Sequence, residues 1–100
     1  ADDAIIAEDD GRYRVKALTE VAPFNEAFAS RFPDDIHTIG GIVTDRFGRV
    51  PKRGEAVEVD GLRFEVLRAD ARQAHLFLVT RVPKTVINEF FQDDEHRHPA

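Results

Sequence analysis

The residues that could do chemistry are few, and most lack the neighbours that chemistry needs. Ser30, Thr38, Thr44 and Thr80 supply hydroxyls, but none stands in a nucleophile turn of the G-x-S-x-G kind. His37 beside Thr38, with Asp34 and Asp35 just upstream, can be drawn as an acid–base cluster. The same residue types satisfy the first N–H groups of a helix, and a capping region is the simpler reading. Asp34, Asp35 and Asp45 could attract a cation, yet they lack the spacing of a calcium loop. His75 stands alone at the start of an apolar run and reads as a surface or hydrogen-bonded residue. His96 and His98 follow Asp93, Asp94 and Glu95, a metal-like composition in what reads as a polar tail. There is no cysteine, which removes disulfides, thiolate metal sites and a cysteine nucleophile. No catalytic residue, metal ligand or cofactor is assigned from these residues.

Two other groups carry more information. Arg46, Arg49, Lys52 and Arg53 crowd eight residues at the end of a helical pattern. The helix dipole accounts for Arg46 and Arg49 near a C-terminus. It does not require Lys52 and Arg53 in the following turn, so a basic patch facing a partner is the competing reading. The second group is Gly40-Gly41. Each glycine costs a helix interior about 0.5–1 kcal/mol relative to alanine. In the first turn they either allow close packing or open the helix N-terminus to an anion. The pair lacks the wider phosphate-loop context, which favours close packing.

These residues sit on elements that the pattern defines. Tyr13, Val15 and Ala17 alternate with Arg12, Arg14 and Lys16, which predicts a strand with one wet face. Pro23 suits a first helical turn, and Phe24, Ala27, Phe28 and Phe32 extend an aromatic stripe expected in the core. Ile39, Ile42, Val43 and Phe47 define a second helix, started near Thr38 and stopped by Gly48 and Pro51. Val57 and Val59, then Asp60-Gly61, then Leu62, Phe64 and Val66 predict a hairpin with a type I′ turn. The run AHLFLVTRV is apolar almost throughout and should be the most buried strand. Val86, Ile87, Phe90 and Phe91 share a helical face that could close over its own sheet or dock on a second copy, the sequence leaning to a homodimer. The fold class is α+β: a small, mostly antiparallel sheet of about four strands with two helices on one face.

One hundred residues make one domain or part of a longer chain. Ala1 in place of an initiator methionine points to an excised domain or a processed start. The net charge is −5, but acids cluster at the two ends. Between residues 11 and 92, thirteen of the fourteen bases face eleven of the nineteen acids, which leaves the body slightly basic. Residues 1–10 are therefore expected to be an acidic N-terminal extension, 11–83 the folded domain, and 84–100 a C-terminal segment with a short helix and an acidic, histidine-containing tail. Nothing in this balance encourages a nucleic-acid partner. No apolar run approaches the roughly 20 residues of a membrane span.

The stretch DIHTIGGIVTDRFGRVPKRGEAVEVDGLRFEVLRAD resembles the transporter-associated domain of the CorC/HlyC family. Thr38, Gly40, Gly41, Gly48, Arg49, Pro51, Gly54, Glu55, Phe64 and Val66 match its motif, and Asn25 and Glu26 match its earlier NE pair. Phe24 stands where that family usually has leucine. The resemblance implies a fold related to a flavin-binding domain, although no flavin motif is present. It implies a cytoplasmic domain on the inner membrane, following membrane-embedded and CBS modules of a magnesium and cobalt efflux protein. Those modules of the same parent are then its partners, and no catalytic residues carry over. The reading is a non-catalytic accessory or regulatory domain; the alternative is a small-ligand or nucleotide sensor with a pocket between the glycine-bearing helix and the sheet.

Overall fold

The computed structural model describes residues 4–33 and 35–82. Five strands and two helices follow in the order β1 (Ile5–Ala7), β2 (Arg12–Lys16), α1 (Val21–Phe28), α2 (Ile39–Phe47), β3 (Ala56–Val59), β4 (Leu62–Ala69) and β5 (Ala74–Arg81). The strands form one antiparallel sheet in the order β1-β2-β5-β4-β3. β5 is thus the central strand although it comes last in the chain. Asp34 and the C-terminal segment from 83 onward, with Val86, Ile87, Phe90, Phe91, His96 and His98, lie outside the described residues.

The sheet has five strands where about four were expected. The additional one is β1, inside the 1–10 segment read as a solvated extension. Three residues are too few to display an alternating pattern, and the acids around them hide the strand. Ile5 pairs with Val15, and Ile5 packs on the core, while Glu8 closes the turn through its N–H to the Arg12 carbonyl at 2.7 Å.

Both helices cover the same face of the sheet. Val15, Phe77, Val79, Phe64 and Val66 present that face, and Val21, Phe24, Phe28, Ile39, Ile42 and Val43 meet it from the helices. The phenylalanines make a connected aromatic core. Phe24 stacks on Phe28 at 4.3 Å between centroids, and it lies 5.8 Å from Phe32 and 6.0 Å from Phe64. Phe64 in turn meets Phe77 edge-on at 6.0 Å. Ala27 is exposed, and Val21 takes its expected place in the core. Phe32 is buried, but beyond the helix. α1 stops at Phe28 because Ala29 turns into the left-handed region (φ 54°), with its N–H returned to the Asn25 carbonyl.

The β3–β4 turn is as the sequence predicts. Asp60 (φ 53°) and Gly61 (φ 79°) both take positive φ, and Val59 pairs with Leu62 across them. β5 differs from its expected burial. Phe77 and Val79 are buried, whereas Leu76 and Leu78 are only half-buried, because they point to the sheet face that, among the described residues, carries no helix.

Candidate interaction site

The family-motif residues come together as two structural joints at the ends of α2. At its start, Thr38 caps the helix by accepting the Gly41 N–H at 3.2 Å. The Ile39 N–H donates to the Thr19 carbonyl at 2.9 Å, and the Gly40 N–H to the Ala17 carbonyl at 2.8 Å. Ile42 N–H closes the first turn on the Thr38 carbonyl. The amides that a helix N-terminus would offer an anion are therefore engaged within the fold. A Cβ added at Gly40 would lie 2.9 Å from the Ala17 Cβ and 3.1 Å from its carbonyl oxygen. One added at Gly41 would lie 2.7 Å from a methyl of Ile36. Gly40 lets α2 press its first turn onto the chain leaving β2, and Gly41 brings it close to Ile36 in the preceding loop, which is the close-packing reading.

The second joint follows α2. Gly48 ends the helix with its N–H on the Thr44 carbonyl at 2.9 Å, and Pro51 is buried. Arg49 then grips Glu55 with both ends of its guanidinium, Nη1 to Oε1 at 2.8 Å and Nη2 to Oε2 at 2.7 Å. Glu55 also accepts the Lys52 amide at 2.7 Å. Gly54 and Glu55 tie the loop to β4 through Val66, whose carbonyl accepts the Gly54 N–H and whose N–H donates to the Glu55 carbonyl. The hydrogen bonds from Arg49, then the Lys52 amide, hold the Glu55 carboxyl down to about 2 from its ordinary 4.5. Arg49 is pushed above its ordinary value by the same contact and lies 5.5 Å over the Phe47 ring. This geometry consumes Arg49 internally. The exposed cations left on this end of the domain are Arg46, Lys52 and Arg53.

A second buttressed turn joins β4 to β5. Asp70 accepts the amides of Arg72 and Gln73 at 2.8 and 3.0 Å and contacts His75 Nε2 at 2.8 Å. The His75 contact, with those amides behind it, brings the Asp70 carboxyl to about 2. His75 is thus a partner within a turn. Both carboxylates are depressed below their ordinary values, so their contribution to stability is present above about pH 4.5 and is lost as the pH falls toward 2. Glu55→Gln together with Asp70→Asn is expected to flatten the fall in melting temperature between pH 5 and 2. Thermal unfolding across that range checks it; an unchanged acid slope would assign the effect to other carboxylates.

Two joints were not read from the sequence. Asn25 closes the loop after α1: its side-chain oxygen accepts Ser30 Oγ at 2.8 Å and the Phe32 N–H at 3.0 Å, and its amide donates to the Phe32 carbonyl at 3.0 Å. Arg81 donates to the Phe28 carbonyl at 2.9 Å and sits 5.6 Å over the Phe28 ring, fastening β5 to α1. The signal available for Asn25 was its place in the NE pair, without the partners. Among the described residues, no three His, Cys, Asp or Glu side chains converge as a metal site, and no helix is long and apolar enough to cross a membrane. Of the residues drawn as an acid–base cluster, the Thr38 hydroxyl caps α2, the His37 backbone carbonyl accepts the Val21 N–H, and Asp34 lies outside the described residues.

Among the described residues, a five-stranded sheet carries two helices on one face in a small α+β domain, and the matched motif residues fasten α2 at its start by a glycine contact and beyond its end by an Arg–Glu clamp. A family model described as the transporter associated domain CorC_HlyC matches residues 6–83, and the chain belongs to that family, which is not a catalytic one. It is 40% identical over 81 residues to the magnesium and cobalt efflux protein CorC of Escherichia coli K12, covering 77% of this chain and 28% of that protein. The chain therefore spans little more than a quarter of that relative's length. Among solved structures, a region associated with the Mg2+ and Co2+ transporter CorC from Neisseria meningitidis MC58 superposes with a TM-score of 0.78 at 41% identity, covering 80% of this chain and all of that one. The CorC_HlyC domain of a Xylella fastidiosa hemolysin, described in complex with Mg2+ and Mn2+, shares the fold at a TM-score of 0.72 and 22% identity, over 80% of this chain and 99% of that one.

Proposed function

We propose that this chain is a non-catalytic accessory domain of a membrane cation-efflux protein for magnesium and cobalt, lying on the cytoplasmic side of the inner membrane. It acts through contacts with the CBS and membrane modules of the same parent. The observation that carries this reading is the 40% identity to CorC over nearly the whole described domain, with the matched residues spent on folding. Arg46, Lys52 and Arg53 form the patch that meets an acidic neighbouring surface. The engaged amides at the start of α2 argue against the sensor reading, since the anion-binding groups it would use already have partners.

Reversing the patch in the parent protein with Arg46→Glu, Lys52→Glu and Arg53→Glu is expected to change magnesium or cobalt efflux severalfold while the protein still inserts. All three residues are exposed, so the domain itself should keep its stability. Unchanged efflux in that variant would move the working contact elsewhere. Unchanged efflux after removal of the whole domain would sink the accessory role.

A further inference from the structure

A cleft of about 420 Å³ opens where the end of β2 and the start of β5 meet the turn that leads to α1. That volume falls within the range of small-molecule sites. Its lining is divided by chemistry. Ile6, Leu18 and Leu76 are apolar, Arg14, Lys16, Arg68 and His75 are basic, and among the described residues no carboxylate lines it. Ile6 (45% exposed) and Leu18 (76%) are the large apolar side chains that the described fold leaves most open, and both border this one cleft. Leu18 cannot turn inward. Its neighbours Ala17 and Thr19 are buried, the Ala17 N–H donates to the His75 carbonyl at 2.9 Å, and the Thr19 hydroxyl donates to the Lys16 carbonyl at 2.6 Å. The turn thus holds a leucine out in water, and a bound apolar group would relieve that exposure.

The bases differ in what they have left to give. Arg14 meets Glu8 at 2.7 Å, His75 meets Asp70 at 2.8 Å, and Lys16 is also engaged. Arg68 is exposed and, among the described residues, makes no hydrogen bond, ion pair or ring contact. Register sets Arg68 directly across from Leu76 on the neighbouring strand. Ile6 lies on β1, three strand spacings from β4, so the cleft runs about 14 Å across the sheet from Ile6 to Arg68. A free guanidinium stands at one end of it and open apolar side chains stand along the rest.

We propose that this cleft binds an amphipathic anion, with a phosphate or carboxylate head on the Arg68 guanidinium and an alkyl body along Leu76 toward Ile6 and Leu18. A guanidinium presents paired N–H donors that match either head. One unpaired cation beside three engaged ones suits a single anionic group and not a polyanion. The length and the apolar lining of the cleft suit an extended hydrocarbon, since a bare anion would leave Ile6 and Leu18 as open as before. The site lies apart from Arg46, Lys52 and Arg53 and does not rest on the efflux reading, so the two can fail separately.

Calorimetry of the full chain with octyl phosphate, kept monomeric, should show saturable binding at one equivalent. Arg68→Gln should weaken it by about tenfold or more, the loss expected for a charge-assisted pair. Leu18→Ser should weaken it severalfold. Both side chains are exposed, so unchanged melting temperatures should accompany the loss. Arg46→Gln, on α2, should bind as the wild type does. Inorganic phosphate and octanol, the two halves of the probe, should each bind far more weakly. Flotation with phosphatidylglycerol vesicles separates the sources of the anion. Octyl phosphate binding without vesicle binding assigns it to a free ligand, and binding of both, lost together in Arg68→Gln, assigns it to a lipid; either result supports the site. Vesicle binding alone would overturn it, since adsorption to a flat surface needs no cleft. So would inorganic phosphate binding as tightly as octyl phosphate, the absence of any saturable heat, or octyl phosphate binding that Arg68→Gln and Leu18→Ser leave unchanged.

Discussion

Phe24→Ala is expected to lower the unfolding free energy by about 3–5 kcal/mol, the range for emptying a buried aromatic site. Phe24 is fully buried and touches three other phenylalanines, from α1, the following loop and β4. Its ring therefore joins the helix layer to the sheet, and no neighbour can collapse into the space without breaking another ring contact. Against a total stability of roughly 5–15 kcal/mol for a domain of this size, the loss is large. Urea denaturation measures it. Phe47→Ala, at the partly buried end of α2, should cost clearly less. Phe24→Leu, which keeps much of the volume, should fall between wild type and Phe24→Ala. A Phe24→Ala loss no greater than that of Phe47→Ala would show that the aromatic cluster does not tie the layers together.

The sequence made this core visible because phenylalanines at helical spacing and alternating strand residues leave a periodic signal. α2 and the β3–β4 hairpin were legible for the same reason, with Thr38, Gly48 and Asp60-Gly61 marking their ends. β1 was not legible, since three residues paired only to β2 carry no period. The end of α1 was also hidden: Ala29, which has no special liking for positive φ, stops the helix, and Asn25 recovers the loop from the side. At the candidate site, the residue types were readable and their partners were not. Arg49 looked like one of four surface cations, and only the fold brings Glu55, six residues on, against both of its terminal nitrogens. A local charge pattern cannot distinguish a clamp from a patch, because the loop between them sets the distance. The apolar run of β5 misled in one respect only. It reads as the most buried strand, and among the described residues helices cover only one of its faces, which leaves Leu76 and Leu78 half-buried.

Gly40 and Gly41 are adjacent, yet alanine is expected to act differently at the two positions. In a helix, replacing glycine by alanine gains about 1 kcal/mol of intrinsic propensity. At Gly40 that gain meets backbone: the new methyl would stand 2.9 Å from the Ala17 Cβ and 3.1 Å from the Ala17 carbonyl oxygen, which also accepts the Gly40 N–H. Relief requires α2 to back away from the end of β2, stretching that hydrogen bond and the Ile39–Thr19 bond beside it. Overpacking of this kind typically costs about 1–3 kcal/mol, which exceeds the propensity gain. At Gly41 the obstacle is a methyl of Ile36 in the loop before the helix, while the Thr38 hydroxyl stays at an ordinary 3.4 Å. A loop side chain can turn aside where a hydrogen-bonded strand end cannot. Gly40→Ala is therefore expected to destabilise the domain by about 1–2 kcal/mol, and Gly41→Ala by less, near zero once propensity is counted. Leucine at either position adds volume to the same collisions and should cost more, with Gly40→Leu the worst of the four. Chemical denaturation of all four variants gives the order. If leucine is tolerated at both positions as well as alanine, the glycines are not there for close approach. If Gly41→Ala proves the costlier alanine, the tight contact of the helix start is with the Ile36 loop instead of β2.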